Sequence, residues 1–136
     1  MKILILCTGN SCRSQMAQGF LQSFDKRLQV FSAGTQPAAR INPTAVKVMN
    51  EAGIDISKNK PKNVDIYLYE PWDYVITVCD DAKETCPFFP GAKNQLHKPF
   101  EDPARAKGSN EEILSAFRKT RDEIRKWIID YFGKEG

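Results

Sequence analysis

The chain has 136 residues, 41% of them apolar, with 20 basic against 17 acidic side chains and a net charge of +3. That length suits one domain, residues 1–136, with a core of its own. The charge is too mild and too evenly spread for a nucleic-acid or membrane surface, so neither is expected as a partner.

In chain order, Lys2 to Cys7 comes first. Ile3, Leu4, Ile5 and Leu6 run without alternation, the pattern of a parallel strand covered on both faces. MKILIL then enters a polar Gly/Asn loop with no small-residue cleavage site, so it reads as a strand and not a signal peptide. No apolar stretch is long enough to cross a bilayer, and a cytoplasmic monomer is expected. Met16, Ala17, Phe20, Leu21 and Phe24 recur at helical spacing. Val30 to Ser32 lead through Ala33-Gly34 as a short strand and turn, and Gly34 reads as a turn residue. Asn42 and Pro43 fit an N-cap and first helical residue. Ala45, Val46, Met49 and Ala52 share a face, and Gly53 ends that helix.

Residues 54 to 63 are turn-rich. Residues 64 to 70 (VDIYLYE) fit either a strand or a short helix. Tyr74 to Cys79 is a second buried strand. Residues 80 to 86 are polar and suit a helical turn, which Pro87 and Pro90 stop. Gln95 to Lys98 reads as a last short strand, and 101 to 109 as a loop. Ile113, Phe117, Thr120, Ile124, Trp127, Ile128 and Tyr131 then line one face of a long terminal helix. Strands alternating with helices predict an α/β fold around a parallel sheet. Sites in such sheets form at the carboxyl ends of strands, where both Cys7 and Cys79 fall.

Between the first strand and first helix stands CTGNSCRS, residues 7 to 14. A helix N-terminus offers free N–H groups and partial positive charge, which hold an oxyanion and favour a thiolate. Arg13 can grip two anion oxygens in a fork. Ser14 can donate to the Cys7 sulfur, Gly9 permits a tight backbone, and Asn10 tolerates a left-handed conformation. The bland alternative is an inert buried cysteine before an ordinary turn. The candidate anion cradle is therefore Thr8, Gly9, Asn10, Ser11, Cys12, Arg13 and Ser14, with Cys7 as nucleophile. Asp102, in EDPAR at 101 to 105, is the candidate proton donor. Glu101 is its local rival, and an ordinary Asp-Pro turn the alternative.

The run CTGNSCRSQMA, 7 to 17, resembles the low-molecular-weight protein tyrosine phosphatases and the thioredoxin-coupled arsenate reductases that share their scaffold. The resemblance implies a three-layer, Rossmann-like fold with a central parallel four-stranded sheet flanked by helices. It also implies Cys7 as nucleophile, Arg13 as oxyanion ligand and Asp102 as acid. Phosphatases of this kind carry an aromatic residue after the Asp-Pro pair; here Ala104 offers no ring. DPAR resembles the reductase version, as do SAG at 32 to 34 and the pair Cys79 and Cys86.

Reducing arsenate to arsenite needs two electrons, which a dithiol supplies and a phosphatase does not use. Cys79 and Cys86 are seven residues apart, about 10.5 Å along a helix, whereas a disulfide spans roughly 4.4–6.8 Å between Cα atoms. Their segment must bend or melt to close the bond. Zinc bound by four cysteines and a core role for Cys79 are the competing readings. The reading adopted is reduction of arsenate through a Cys7/Cys79/Cys86 disulfide cascade, with Cys79–Cys86 as the redox disulfide and thioredoxin as recycling partner. Hydrolysis of phosphomonoesters through a Cys7 phosphocysteine is the alternative. No organic cofactor or metal is expected. Gln18 stands where some such reductases carry an acid for a potassium ion. Cys12, His97, Trp72 and Trp127 are expected to be structural.

Overall fold

A computed structural model of the chain describes residues 1–79 and 89–133. The element order is β1 (Lys2–Cys7), α1 (Arg13–Phe24), β2 (Gln29–Gly34), α2 (Pro43–Glu51), a 3-10 turn (Val64–Tyr67), β3 (Trp72–Thr77), β4 (Ala92–His97), a second 3-10 turn (Pro103–Arg105) and α3 (Asn110–Phe132). The predicted turn at 80 to 86, with Cys86, lies outside the described residues.

The four strands form one parallel sheet in the order β2-β1-β3-β4. The unalternating β1 run explains why β1 is central. Ile3 and Ile5 face a core built with Met16, Phe20 and Leu21 of α1, Val48 and Met49 of α2, and Phe117, Ile124 and Ile128 of α3. Leu4 and Leu6 face the opposite way, onto Val64, Tyr67, Trp72, Val75 and Phe89. Burying one aliphatic side chain of this size contributes about 1.5–3 kcal/mol, so both faces stabilise the strand.

The helices begin and end where local chemistry dictates. Asn42 caps α2 by accepting from the Thr44 and Ala45 amides at 2.8 and 3.3 Å. Gly53, two residues past the helix, has φ +83°. Ser109 and Glu112 form a capping box on α3.

Several boundaries differ from the sequence reading. The inward residues of α2 are Ala45, Val48 and Met49, while Ala52 is exposed beyond the last turn. Within 64 to 70, Val64–Tyr67 form a 3-10 turn, at whose start Asn63 accepts from the Asp65 amide at 2.8 Å. β3 begins at Trp72 and ends at Thr77, not 74 to 79: the chain after β4 takes over there, with Lys98 N on Thr77 O and Phe100 N on Val78 O. β4 is longer than expected, since its exposed Lys93, Asn94 and Gln95 carry the polar signature of an edge strand. In α3, Phe132 is buried and Tyr131 only partly. Among the described residues, no helix is long and apolar enough to cross a membrane.

Candidate active site

The loop after β1 is shaped from behind. All six carbonyls from Cys7 to Cys12 have a donor. Thr35, Gln36, Ala38 and Asn42 give their amides to the oxygens of Cys7, Thr8, Gly9 and Ser11 at 3.3, 2.9, 2.9 and 2.9 Å. Gln15 Nε2 serves Asn10 O at 3.2 Å, and Met16 N serves Cys12 O at 2.9 Å. A planar trans peptide points its N–H opposite its C=O. Holding the carbonyls of Cys7, Thr8, Gly9 and Ser11 on the 35 to 42 segment therefore turns the following amides, those of Thr8, Gly9, Asn10 and Cys12, away from that segment. Asn10 takes the left-handed conformation expected of it, φ 50°.

Gly34 proves more than a turn residue. It stands opposite Cys7 in the β1–β2 ladder. A Cβ there would overlap the Thr8 carbonyl oxygen and lie 3.0 Å from Asn10 N. The closeness of β2 to the loop thus depends on the missing side chain.

A directed relay reaches the Cys7 sulfur. The Lys62 amide can only donate, and it donates to Asn10 Oδ1 at 2.9 Å. That fixes the Asn10 amide, whose Nδ2 donates to Ser14 Oγ at 2.8 Å. Ser14 Oγ, its oxygen so engaged, can direct its own proton to Cys7 Sγ at 2.9 Å. The Asn10 backbone N–H adds a bond to the same sulfur at 3.2 Å. Cys7 is 3% exposed. Burial pushes its thiol pKa up, and the hydrogen bonds from Ser14 and Asn10 pull against that without overcoming it; the nearby Cys79 pushes it further up.

Arg13 opens α1 and crosses the mouth of the loop. Its Nη1 donates to Phe100 O at 3.0 Å, and its Nη2 lies 3.6 Å from Asp102 Oδ2. Its Nε is buried with no protein partner among the described residues. An unpaired buried N–H is costly, about 1–3 kcal/mol, unless something occupies it. A donor of this kind beside loop amides fits an oxyanion.

Asp102 caps the 3-10 turn in the expected 101 to 109 loop by accepting from the Ala104 amide at 3.0 Å. Its other oxygen faces Arg13 and, at 3.8 Å, Arg105 Nε. Cys79, 2% exposed, reaches the same loop: its sulfur is 3.4 Å from Thr8 Oγ1, one residue from Cys7. Cys7, Cys12 and Cys79 are all free thiols. Cys12 packs at 6% exposure, its pKa raised by burial first and then by the Asp102 charge. His97 Nδ1 pairs with Thr77 Oγ1 at 2.8 Å. Gln18 donates to Val30 O and accepts from Ser32 Oγ, at 3.1 and 2.6 Å. Among the described residues, no group of three or more His, Cys, Asp or Glu gathers as a metal site.

Sequence reasoning missed four contributors: Gly34 behind the loop, Gln15 and Lys62 as backbone and side-chain supports, and Phe100 beneath Arg13. Only Gly34 left a trace, as a glycine closing a strand beside the cysteine's own strand.

A strand-end cysteine, loop amides and a buried arginine Nε thus meet at the carboxyl edge of a parallel α/β sheet, an arrangement that suits an oxyanion. The chain belongs to the low molecular weight phosphotyrosine protein phosphatase family, whose profile matches residues 2–135. An arsenate reductase of Halalkalibacterium halodurans is 46% identical over 127 residues, covering 93% of this chain and 91% of that protein. One from Shouchella clausii is 47% identical over 123 residues, covering 90% and 88%. A solved arsenate reductase in its phosphate-binding state superposes with a TM-score of 0.82 at 29% identity, covering 98% of this chain and 97% of that one.

Proposed function

We propose that this protein reduces arsenate to arsenite, using Cys7, Cys79 and Cys86 in turn, with thioredoxin restoring the dithiol. The observation that carries the reading is the second buried thiol at the loop: Cys79 Sγ lies 3.4 Å from Thr8 Oγ1, one residue from Cys7. Hydrolysis needs no such group, whereas a two-electron reduction does. The arsenate reductases named above support the same choice.

In the proposed sequence, the loop amides and Arg13 hold arsenate against Cys7. The Cys7 thiolate attacks arsenic, and Asp102 protonates the oxygen that departs as water, leaving a Cys7–arsenic(V) adduct. The Cys79 thiolate then attacks Cys7 Sγ. The Cys7–arsenic bond breaks, its electron pair stays on arsenic, and arsenite leaves while a Cys7–Cys79 disulfide forms. The Cys86 thiolate attacks Cys79 Sγ and expels the Cys7 thiolate, which completes a Cys79–Cys86 disulfide. An external dithiol of the thioredoxin type takes that bond over by exchange. All steps are assigned to one monomeric domain in the cytoplasm.

The test supplies arsenate, thioredoxin, thioredoxin reductase and NADPH to the full chain. Arsenate-dependent loss of NADPH with arsenite as product is expected. No arsenate-dependent turnover, alongside rapid hydrolysis of an aryl phosphate, would overturn the proposal in favour of a phosphatase.

A further inference from the structure

Arg13 is carried by α1, but its orientation is set elsewhere. Nη1 is fixed on Phe100 O at 3.0 Å, and Nη2 faces Asp102 at 3.6 Å. Both partners lie on the segment that follows β4. A guanidinium is planar, so the Nη1 bond to Phe100 O and the Nη2 approach to Asp102 together set the direction of the rest. The buried, unpartnered Nε therefore points where these two partners make it point.

Phe100 in turn is held at two places. Its amide donates to Val78 O at 3.0 Å, the residue before Cys79. Its ring, 8% exposed, packs edge-on against Trp127 of α3, with centroids 6.2 Å apart and planes at 69°. Trp127 is itself braced. It stacks on Tyr131 at 5.4 Å and meets Phe132 edge-on at 6.1 Å. Both of those rings close on Tyr74 of β3, at 6.3 and 6.0 Å. An aromatic brace thus runs from the sheet through α3 to the carbonyl under Arg13. Asp102 sits two residues past the same phenylalanine.

We propose that Trp127 is a positioning residue for oxyanion binding: by bracing the Phe100 ring, it holds the Phe100 carbonyl where it aims the Arg13 guanidinium into the loop. This rests on Arg13 being the oxyanion ligand. The readout is therefore binding of inorganic phosphate, which does not depend on the thiol cascade and keeps failure of the arsenate chemistry distinguishable.

The experiment measures phosphate affinity by calorimetry on the full chain. The variants are Trp127→Ala, Trp127→Phe, Arg13→Lys and Arg13→Lys/Trp127→Ala. Losing the aim of one charge-assisted donor should weaken phosphate about 10- to 100-fold in Trp127→Ala. Trp127→Phe keeps an edge-on aromatic partner and should stay within about threefold of the parent. In the Arg13→Lys background the fork is gone, so Trp127→Ala should add less than about twofold. If Trp127→Ala fails to fold, Trp127→Leu carries the same readings. The proposal is overturned by unchanged phosphate affinity despite a lowered Tm. It is equally overturned by a loss as large in the Arg13→Lys background as in the parent, which would make Trp127 a general stabiliser.

Discussion

Gly34→Ala is the sharpest structural perturbation of the loop. The new Cβ would overlap Thr8 O and stand 3.0 Å from Asn10 N and 3.1 Å from Thr8 C, all backbone atoms. None can rotate away as a side chain would. Thr8 O is also tied to Gln36 N at 2.9 Å, and Asn10 N donates to Cys7 Sγ at 3.2 Å. Restoring ordinary van der Waals contact takes a retreat of roughly 1 Å by the loop or by β2. Overpacking of this kind costs about 1–3 kcal/mol, or a Tm lower by roughly 3–12 °C in a domain of this size. A displacement near 1 Å at the reacting centre costs about 10²-fold in rate. Gly53→Ala is the control. Gly53 has φ +83° and nothing within 4 Å of a new Cβ, so it should lose about 1–2 kcal/mol to backbone strain and keep its oxyanion affinity. The assay pairs thermal unfolding with phosphate affinity and single-turnover arsenite release for both variants. If Gly34→Ala matches Gly53→Ala in affinity and rate, the loop is not supported by β2 and the reasoning fails.

Two more outcomes follow from the charges. Ser14→Ala removes the hydroxyl bond that pulls the Cys7 pKa down. The pH profile of Cys7 alkylation by a neutral reagent should move to higher pH, and an unmoved profile would show that Asn10 and Ser14 do not direct a proton to the sulfur. Between α2 and α3, Arg118 and Arg121 hold the Glu51 carboxyl down to about 2, against an ordinary value of about 4.3. A depressed acid stabilises the fold above its unfolded pKa and loses that contribution as pH falls through its folded pKa. Glu51→Gln should therefore lower Tm at neutral pH, with the gap closing between about pH 4.3 and 2 and shrinking with added salt. A gap that persists at pH 2 would place the effect in packing instead.

The legible parts of the fold were those whose burial is written in side-chain type. Ile3 to Leu6, unalternating, fit a strand covered on both faces, and Asn42-Pro43 fit a helix start. β4 was half missed because an edge strand buries little: Lys93, Asn94 and Gln95 face solvent. The 64 to 70 segment carried two periods at once, and its 3-10 turn starts at an Asn63 side-chain bond. At the site, Cys7 and Arg13 stood out because strand end and helix start dictate their chemistry. The rule that sites gather at carboxyl strand ends also brought Cys79 to the loop. Lys62 and Phe100 act through a backbone amide and a carbonyl, and Gln15 through a side-chain bond to a loop carbonyl, so none was legible as a site residue. The 35 to 42 segment supports the loop through amides alone, and an amide leaves no mark in a sequence.

The three-cysteine path is tested most directly by one turnover of a Cys86→Ser chain with arsenate and no added reductant. About one arsenite should be released per chain, with a Cys7–Cys79 disulfide in peptide mapping and no recycling when thioredoxin is then supplied. Arsenite release without a Cys7–Cys79 bond, or sustained turnover with thioredoxin in the absence of the Cys86 thiol, would contradict that path.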